Sequence, residues 1–301
     1  MTSSLIARHA APRHWAGLLL LVVLWGSSYS LIEVALSVVA PLQLTALRIT
    51  AAALVLLVGV VASGRRLPPS PGLWGRMLLM ALLGSMGPFF LISWGQLEVE
   101  SALAGILAAI TPLCVLVMAH FLLPDERLER RHALAFLLAF AGVVVLLGGE
   151  ALGGLGGSVP RLLAQLALLL AAICYAGATV YARFLPGTDP LVTAAMVMSS
   201  AALLLAPVTL GSLPALAGAG ALPLLALGFL GVFGTGLASI VYFQLIRSVG
   251  ARFTSLLNYL VPVWAALLGA QLLGERVPTS AWLALALILA GMLLTQRKRD
   301  G

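Results

Sequence analysis

Two stretches of this chain, one late in each half, read as copies of one another. Val99–Val145 runs VESALAGILAAITPLCVLVMAHFLLPDERLERRHALAFLLAFAGVVV, and Val249–Leu294 runs VGARFTSLLNYLVPVWAALLGAQLLGERVPTSAWLALALILAGMLL. Val99 falls on Val249, Leu107 on Leu257, Pro112 on Pro262, and Leu122-Leu123 on Leu272-Leu273. After a slip of one residue, Glu126-Arg127 falls on Glu275-Arg276 and Ala141-Gly142 on Ala290-Gly291. Each copy holds a proline midway along an apolar helix, then a charged Glu-Arg turn, then a second apolar helix. A repeat of whole apolar helices is the pattern of a secondary transporter built from two related halves.

The solvent for these helices follows from composition. The chain is 61% hydrophobic and 9% charged, where soluble domains carry about 25% charged residues. Its mean hydropathy is +1.11. A soluble fold could not hide that much apolar surface, so lipid must surround most of it. Cys114 and Cys174 both lie inside apolar runs, with no Cys or His spacing that suits a metal. The sequence therefore predicts no disulfide, no metal and no cofactor. The formal net charge of +7 does not indicate nucleic acid, because the basic residues sit between apolar spans, where membrane orientation accounts for them.

About 20 residues rising 1.5 Å each cross a hydrocarbon core of about 30 Å. On that measure ten spans are predicted, near 16–36, 41–62, 73–95, 101–123, 132–148, 161–184, 190–211, 222–246, 251–272 and 281–296. The glycine-rich stretch Gly148–Pro160 reads as the linker, giving a first five-helix repeat over 1–148, a linker over 149–160 and a second repeat over 161–301. The basic residues and apolar run at the N-terminus resemble a signal peptide. However, the run is longer than the ~7–15 residues of an h-region, so it is assigned as the first span. With the N-terminus inside, fourteen of the 17 Lys and Arg residues fall on the inner side, and only Arg161 and Arg276 fall outside. That bias places both termini in the cytoplasm. Five spans per half is an odd number, so the second half must be inverted relative to the first.

Proline cannot make the backbone bond to the carbonyl four residues back, so Pro112 frees Ala108 C=O and Pro262 frees Asn258 C=O. In lipid such groups must face protein or a wet cavity. The two prolines are therefore candidate hinges beside a midplane site. Polar and aromatic residues recur around them at helical spacing: Trp25, Ser28 and Tyr29; Phe89, Ser93 and Gln96; Tyr175 and Thr179; Thr235, Ser239 and Tyr242; Thr254 and Asn258. Spacings of three or four place each set on one helix face. Ser and Thr also bond their own helices or glue neighbours, and the aromatics also serve in packing or interfacial belts. Asn258 is the sharpest candidate, because a midplane amide has four hydrogen bonds to satisfy. Gly228, Gly231, Gly234 and Gly236 suit close helix approach. Arg48, seven residues into the second span, needs a partner in lipid. Glu33 is the acid at similar depth, so a structural Glu33–Arg48 pair is expected, with an outer-gate or substrate-carboxylate role for Arg48 as the alternative.

Trp25-Gly26-Ser27-Ser28, the doubled proline helix with its Glu-Arg turn and the closing Ala-Gly pairs resemble the drug/metabolite transporter superfamily, specifically its ten-helix EamA branch. The resemblance covers essentially the whole chain, and among members of that branch it is most similar to the YddG-type bacterial amino-acid exporters. It implies ten helices in a basket around a central cavity lined mainly by spans 1, 3, 4, 6, 8 and 9, and export of small metabolites from the cytoplasm. One departure is the first half's turn, Pro124-Asp125-Glu126-Arg127, where the second half has the more typical Gly274-Glu275-Arg276.

Other classes fit less well. There is no HExxH, GxSxG or acidic metal motif, so an enzyme is not expected. A channel calls for a polar or charged ring along a pore, and a scaffold needs no paired polar faces. The expected function is export of small organic metabolites, most of all aromatic or other neutral amino acids, across a bacterial inner membrane. Export of drugs, nucleobases or other uncharged metabolites remains the alternative. The expected partners are the solute and membrane lipid. Only Glu33 among the acids lies within a span, and its supposed pairing with Arg48 argues for uncoupled movement over proton antiport. Cysteine-labelling reporters placed in 65–76 and 127–131 should be shielded from the periplasm, and those at 98–100 and in Gly148–Pro160 should be labelled from it. The opposite pattern would remove the inverted repeat.

Overall fold

The computed structural model describes residues 11–123, 130–152, 159–187 and 189–296. The Glu126-Arg127 turn, the middle of the glycine-rich linker and both extreme termini lie outside the described residues. Ten helical spans follow in order. The first five are α1 (Pro12–Leu36), α2 (Pro41–Ala62), α3 (Pro71–Gly95), α4 (Ser101–Leu122) and α5 (Arg130–Leu152). The second five are α6 (Val159–Tyr181), α7 (Pro190–Ala217), α8 (Ala221–Gly250), α9 (Leu257–Leu272) and α10 (Thr279–Gln296). No strand occurs among the described residues. Seven of these helices are long and apolar enough to cross a membrane, and shorter apolar stretches over Leu134–Leu146, Leu257–Leu272 and Thr279–Leu294 supply the other three. The protein is an all-α membrane protein of two five-helix repeats.

Proline opens α1, α2, α3 and α7. Its fixed φ suits the first turn, and its missing N–H would have had no partner there. Asp189 completes the start of α7 by accepting from the amides of Leu191 and Val192. α5 runs to Leu152 and α6 begins at Val159, so both helices reach into the expected linker. α7 continues to Ala217 past Pro207 and Pro214, beyond its expected end at 211.

Packing follows the repeat. α2 lies against α7 and α5 against α10, so these two spans meet their own counterparts across the pseudo-symmetry. α1 packs on α8 and α9, as α6 packs on α3 and α4. Irregular backbone also comes in pairs. Residues Leu82–Met86 of α3 and Phe229–Leu237 of α8 are wound as π-helix, and counting from the repeat puts Ser85 on Thr235. The spans containing Pro112 and Pro262 are both broken near their middles. Ala109 and Ile110 bond back three residues to Ile106 and Leu107, and Leu256, Asn258 and Tyr259 do likewise to Phe253, Ser255 and Leu256. A second interruption lies at Gly250, whose φ of 83° and ψ of 163° only glycine adopts readily. It separates α8 from the helical residues 251–254.

Two clusters tie the faces. At the near face, where α1 begins, Asp189 lies 3.2 Å from Arg65 and 3.9 Å from Arg247, linking the ends of α2, α7 and α8. At the far face, the Glu275 carboxylate accepts from the amides of Ser101 and Ala102 at 2.8 and 2.9 Å. The second repeat thus caps the first helical turn of α4. Arg161 joins Glu100 at 2.6 Å and donates to Glu98 C=O at 2.7 Å beside it. Removing the cap by Glu275→Ala should lower stability by about 1–2 kcal/mol, the range for lost N-caps. Glu275→Gln, which keeps an acceptor oxygen, should lose less. Thermal unfolding of the purified protein in detergent measures both.

Candidate functional site

α1 and α8 carry most of the polar and aromatic residues of the candidate site. On α1, Trp25 and Tyr29 sit one turn apart on one face. On α8, Thr235, Ser239 and Tyr242 fall on successive turns. Trp25 and Tyr242 meet with ring centroids 5.3 Å apart. With Ile246, Thr254, Ser255, Leu257 and Asn258 they line a cavity of about 230 Å³. Drug-sized ligand sites occupy about 300–1,000 Å³, so this one suits a small metabolite. The cavity lies toward the near face, at the junction of residues 251–254 with α9. Asn258 is exposed into it, and its side-chain amide has no hydrogen-bond partner among the described residues.

Arg48 stands apart from these lining residues and meets α8 at Thr235, seven positions before Tyr242. It is 7% exposed, and no carboxylate pairs with it among the described residues. Its Nε donates to Thr235 Oγ1 at 2.7 Å, and its guanidinium carbon lies 4.0 Å from the centroid of Phe89. Tyr29 and Tyr175 are the titratable side chains beside it. The π-helical winding of α8 prepares this contact: the Thr235 hydroxyl donates to Leu230 C=O, five residues back, at 2.9 Å. Its proton is committed there, so its lone pairs point to the arginine. Gly231 lets α8 come close enough, since a Cβ there would sit 2.5 Å from Ala51 Cβ and 3.2 Å from Arg48 C=O.

Glu33 and Arg48 do not form the expected pair. The Arg48 side chain reaches toward α3 and α8, where a hydroxyl and a ring face receive it, whereas Glu33 turns toward the α4 cap. There it sits against the Glu275 carboxyl and the Ser101 amide, with its Oε2 enclosed and unpartnered among the described residues.

The other expected site residues divide. Trp25, Tyr242, Thr254 and Asn258 line the cavity, and Tyr29, Phe89 and Tyr175 surround Arg48. Gln96 instead ties α3 to α1, donating from Nε2 to Tyr29 C=O at 2.8 Å. Ser28, Thr179 and Ser239 bond their own helices, at Leu24, Tyr175 and Thr235. Ser93 is buried in α3. Pro112 occupies the first turn after the break in α4, and the Ala108 carbonyl is taken by the Thr111 hydroxyl at 2.7 Å. Pro262 lies inside α9, buried. The paired prolines are therefore not equivalent: one starts a helix and the other lies inside one. Close approach holds at Gly231, Gly234 and Gly236, while Gly228 meets nothing within 4 Å.

The two halves of α4 pack differently. Its far half, Ser101–Ala108, lies on α9, α6 and α1, whereas the near half, Thr111–Leu122, leans mainly on α6. α4 therefore meets the second repeat chiefly through its far half. At the near face, Asn258 and Thr179 are exposed.

This arrangement of two repeats, broken midspan helices and a small polar chamber has relatives. The EamA-like transporter family matches the chain twice, over residues 15–148 and 162–297. The chain is 28% identical to the "Uncharacterized inner membrane transporter YedA" of Escherichia coli, over 93% of this chain and 89% of that one. It is 27% identical to a "Probable terminal-alkyne amino-acid exporter" of Streptantibioticus cattleyicolor, over 95% of this chain and 94% of that protein. It is also 32% identical to an uncharacterized protein of Pseudomonas aeruginosa, over 85% and 84%. A crystal structure at 25% identity superposes with a TM-score of 0.64, covering 95% of this chain and 97% of the other. The chain belongs to the EamA-like transporter family.

Proposed function

We propose that this carrier exports small organic metabolites, amino acids above all, from the cytoplasm of a bacterial cell by alternating access across the inner membrane. The observation that carries the reading is the chamber at the junction of α1, α8 and α9, where Trp25 of the first repeat faces residues of the second. The near face is read as cytoplasmic because the basic residues concentrate there, so the cavity beside Asn258 opens toward the solute supply. The relative described as an amino-acid exporter supports the substrate class. A small chamber with flat aromatic walls at Trp25 and Tyr242 supports neutral or aromatic members of it.

Support for uncoupled movement no longer comes from a Glu33–Arg48 pair. It comes from the residues lining the cavity, none of which is an acid or a histidine, so that path offers no carboxyl or imidazole to trade protons. One observation favours proton antiport as a second reading: Glu33 and Glu275 sit carboxyl to carboxyl near the far face, where one proton could be shared between them.

Reconstituted vesicles test both readings. Vesicles preloaded with phenylalanine should release it through the protein without an imposed pH gradient. Strict dependence on that gradient, abolished by Glu33→Gln, would instead establish antiport. Asn258→Ala should cut transport severalfold while leaving insertion and thermal stability unchanged, because it removes an exposed polar group and no packing contact. Transport equal to the parent would place the path elsewhere.

A further inference from the structure

Arg48 is held by one edge only. A guanidinium carries five N–H donors in a rigid fork and stays charged in proteins. Here Nε is committed to Thr235 and one face lies on the Phe89 ring. Neither terminal nitrogen has a hydrogen-bond partner among the described residues. The two terminal nitrogens are therefore buried donors without a protein acceptor among the described residues. Their edge is the one that grips a carboxylate with two parallel hydrogen bonds.

Two further facts argue against a purely architectural role. Counting on from the prolines that open α2 and α7, Arg48 holds the place that Val197 holds in the second repeat. The fold thus builds the same helix pairing from an apolar residue. In addition, a charge at this depth carries a cost in lipid, and the structure supplies a hydroxyl and a ring but no counter-ion among the described residues. A solute anion would complete the set. The helices that carry Trp25 and Tyr242 on the cavity also carry Tyr29 and Thr235 beside the guanidinium. A molecule with a flat apolar body in the cavity can therefore present its head group to Arg48.

We propose that Arg48 is a carboxylate-recognition residue, and that the carrier selects monocarboxylates with a flat apolar tail whether or not they carry an amino group. This rests on the export reading above and sharpens it. No acidic side chain lines the cavity or pairs with Arg48 among the described residues, so nothing there recognises an ammonium group by charge. An amino acid then binds through its carboxylate, and its deaminated analogue binds comparably.

The full chain in lipid nanodiscs tests this with four probes that share a phenyl tail: 3-phenylpropanoate, L-phenylalanine, 3-phenylpropanamide and phenethylamine. Binding is read from tryptophan fluorescence. The two carboxylates should bind within about tenfold of each other, and the amide and the amine should bind about tenfold or more weaker, the scale of a charge-assisted hydrogen-bonded pair. Arg48→Gln should abolish the preference and leave amide binding near its parental level, with Arg48→Lys intermediate. A merely structural arginine would weaken all four probes together. The unaltered protein decides the matter even where a variant fails to fold: binding of the amine or amide as tight as the carboxylates, or no binding of any probe, overturns the proposal. The export reading fails separately. A carboxylate preference in nanodiscs without movement in vesicles would remove the carrier and keep the subsite, and transport with no carboxylate preference would do the reverse.

Discussion

A bilayer offers no water to a backbone carbonyl or amide, so each departure from α-helix inside the membrane must be bonded again locally. Among the described residues, departures in four spans fall into two symmetric pairs. α3 and α8 widen into π-helix, and α4 and the span of α9 tighten to bonds three residues apart at midspan. At two of these places a threonine hydroxyl takes up a main-chain carbonyl, Thr111 at Ala108 and Thr235 at Leu230. Irregular segments within a membrane commonly mark functional positions. Here Thr235 converts such a repair directly into a contact, because the hydroxyl that satisfies the backbone also receives Arg48.

The pseudo-symmetry supplies the scaffold, and its violations supply the chemistry. α2 pairs with α7 and α5 with α10 across the two halves, so a mutually consistent frame arises from one helical plan used twice. Arg48 has Val197 as its counterpart, and Pro112 starts a helix where Pro262 is internal. A solute is not two-fold symmetric, so a site that orients one needs unlike groups on its two sides.

The frame was legible in the sequence because it rests on long-range averages. Length of apolar run, spacing of proline and the distribution of arginine each survive errors of a few residues, and the ten spans emerge with shifted ends. Contacts were legible only where a helix face alone determines them. Trp25, Tyr242, Thr254 and Asn258 share a cavity because spacing already aligned each pair on its own helix. The Glu33–Arg48 pairing failed for the opposite reason. Matching two charges by depth ignores which way each side chain leaves its helix, and a flexible guanidinium found Thr235 and Phe89 on other spans. Gln96 failed similarly, since a long amide on the right face reached a carbonyl of the neighbouring helix. The π-helices left only a faint trace, the run of glycines around Thr235, which also fits simple close packing.

The far-face cap gives this frame its direction. Glu275 belongs to the turn before α10, yet it satisfies two amides of α4, so one carboxylate bridges the two repeats. α4 is broken just beyond that turn, at Ala109-Ile110, which lets its near half lean on α6 while its far half stays bound to α9. On the alternating-access reading, opening the far face means that Glu275 must leave these amides, and both partners then pass from a dry contact to water. A carboxylate and two amides hydrate readily, so the exchange is nearly balanced. A cap of this kind can therefore hold a gate shut without trapping it, which a buried apolar seal of equal area does less easily.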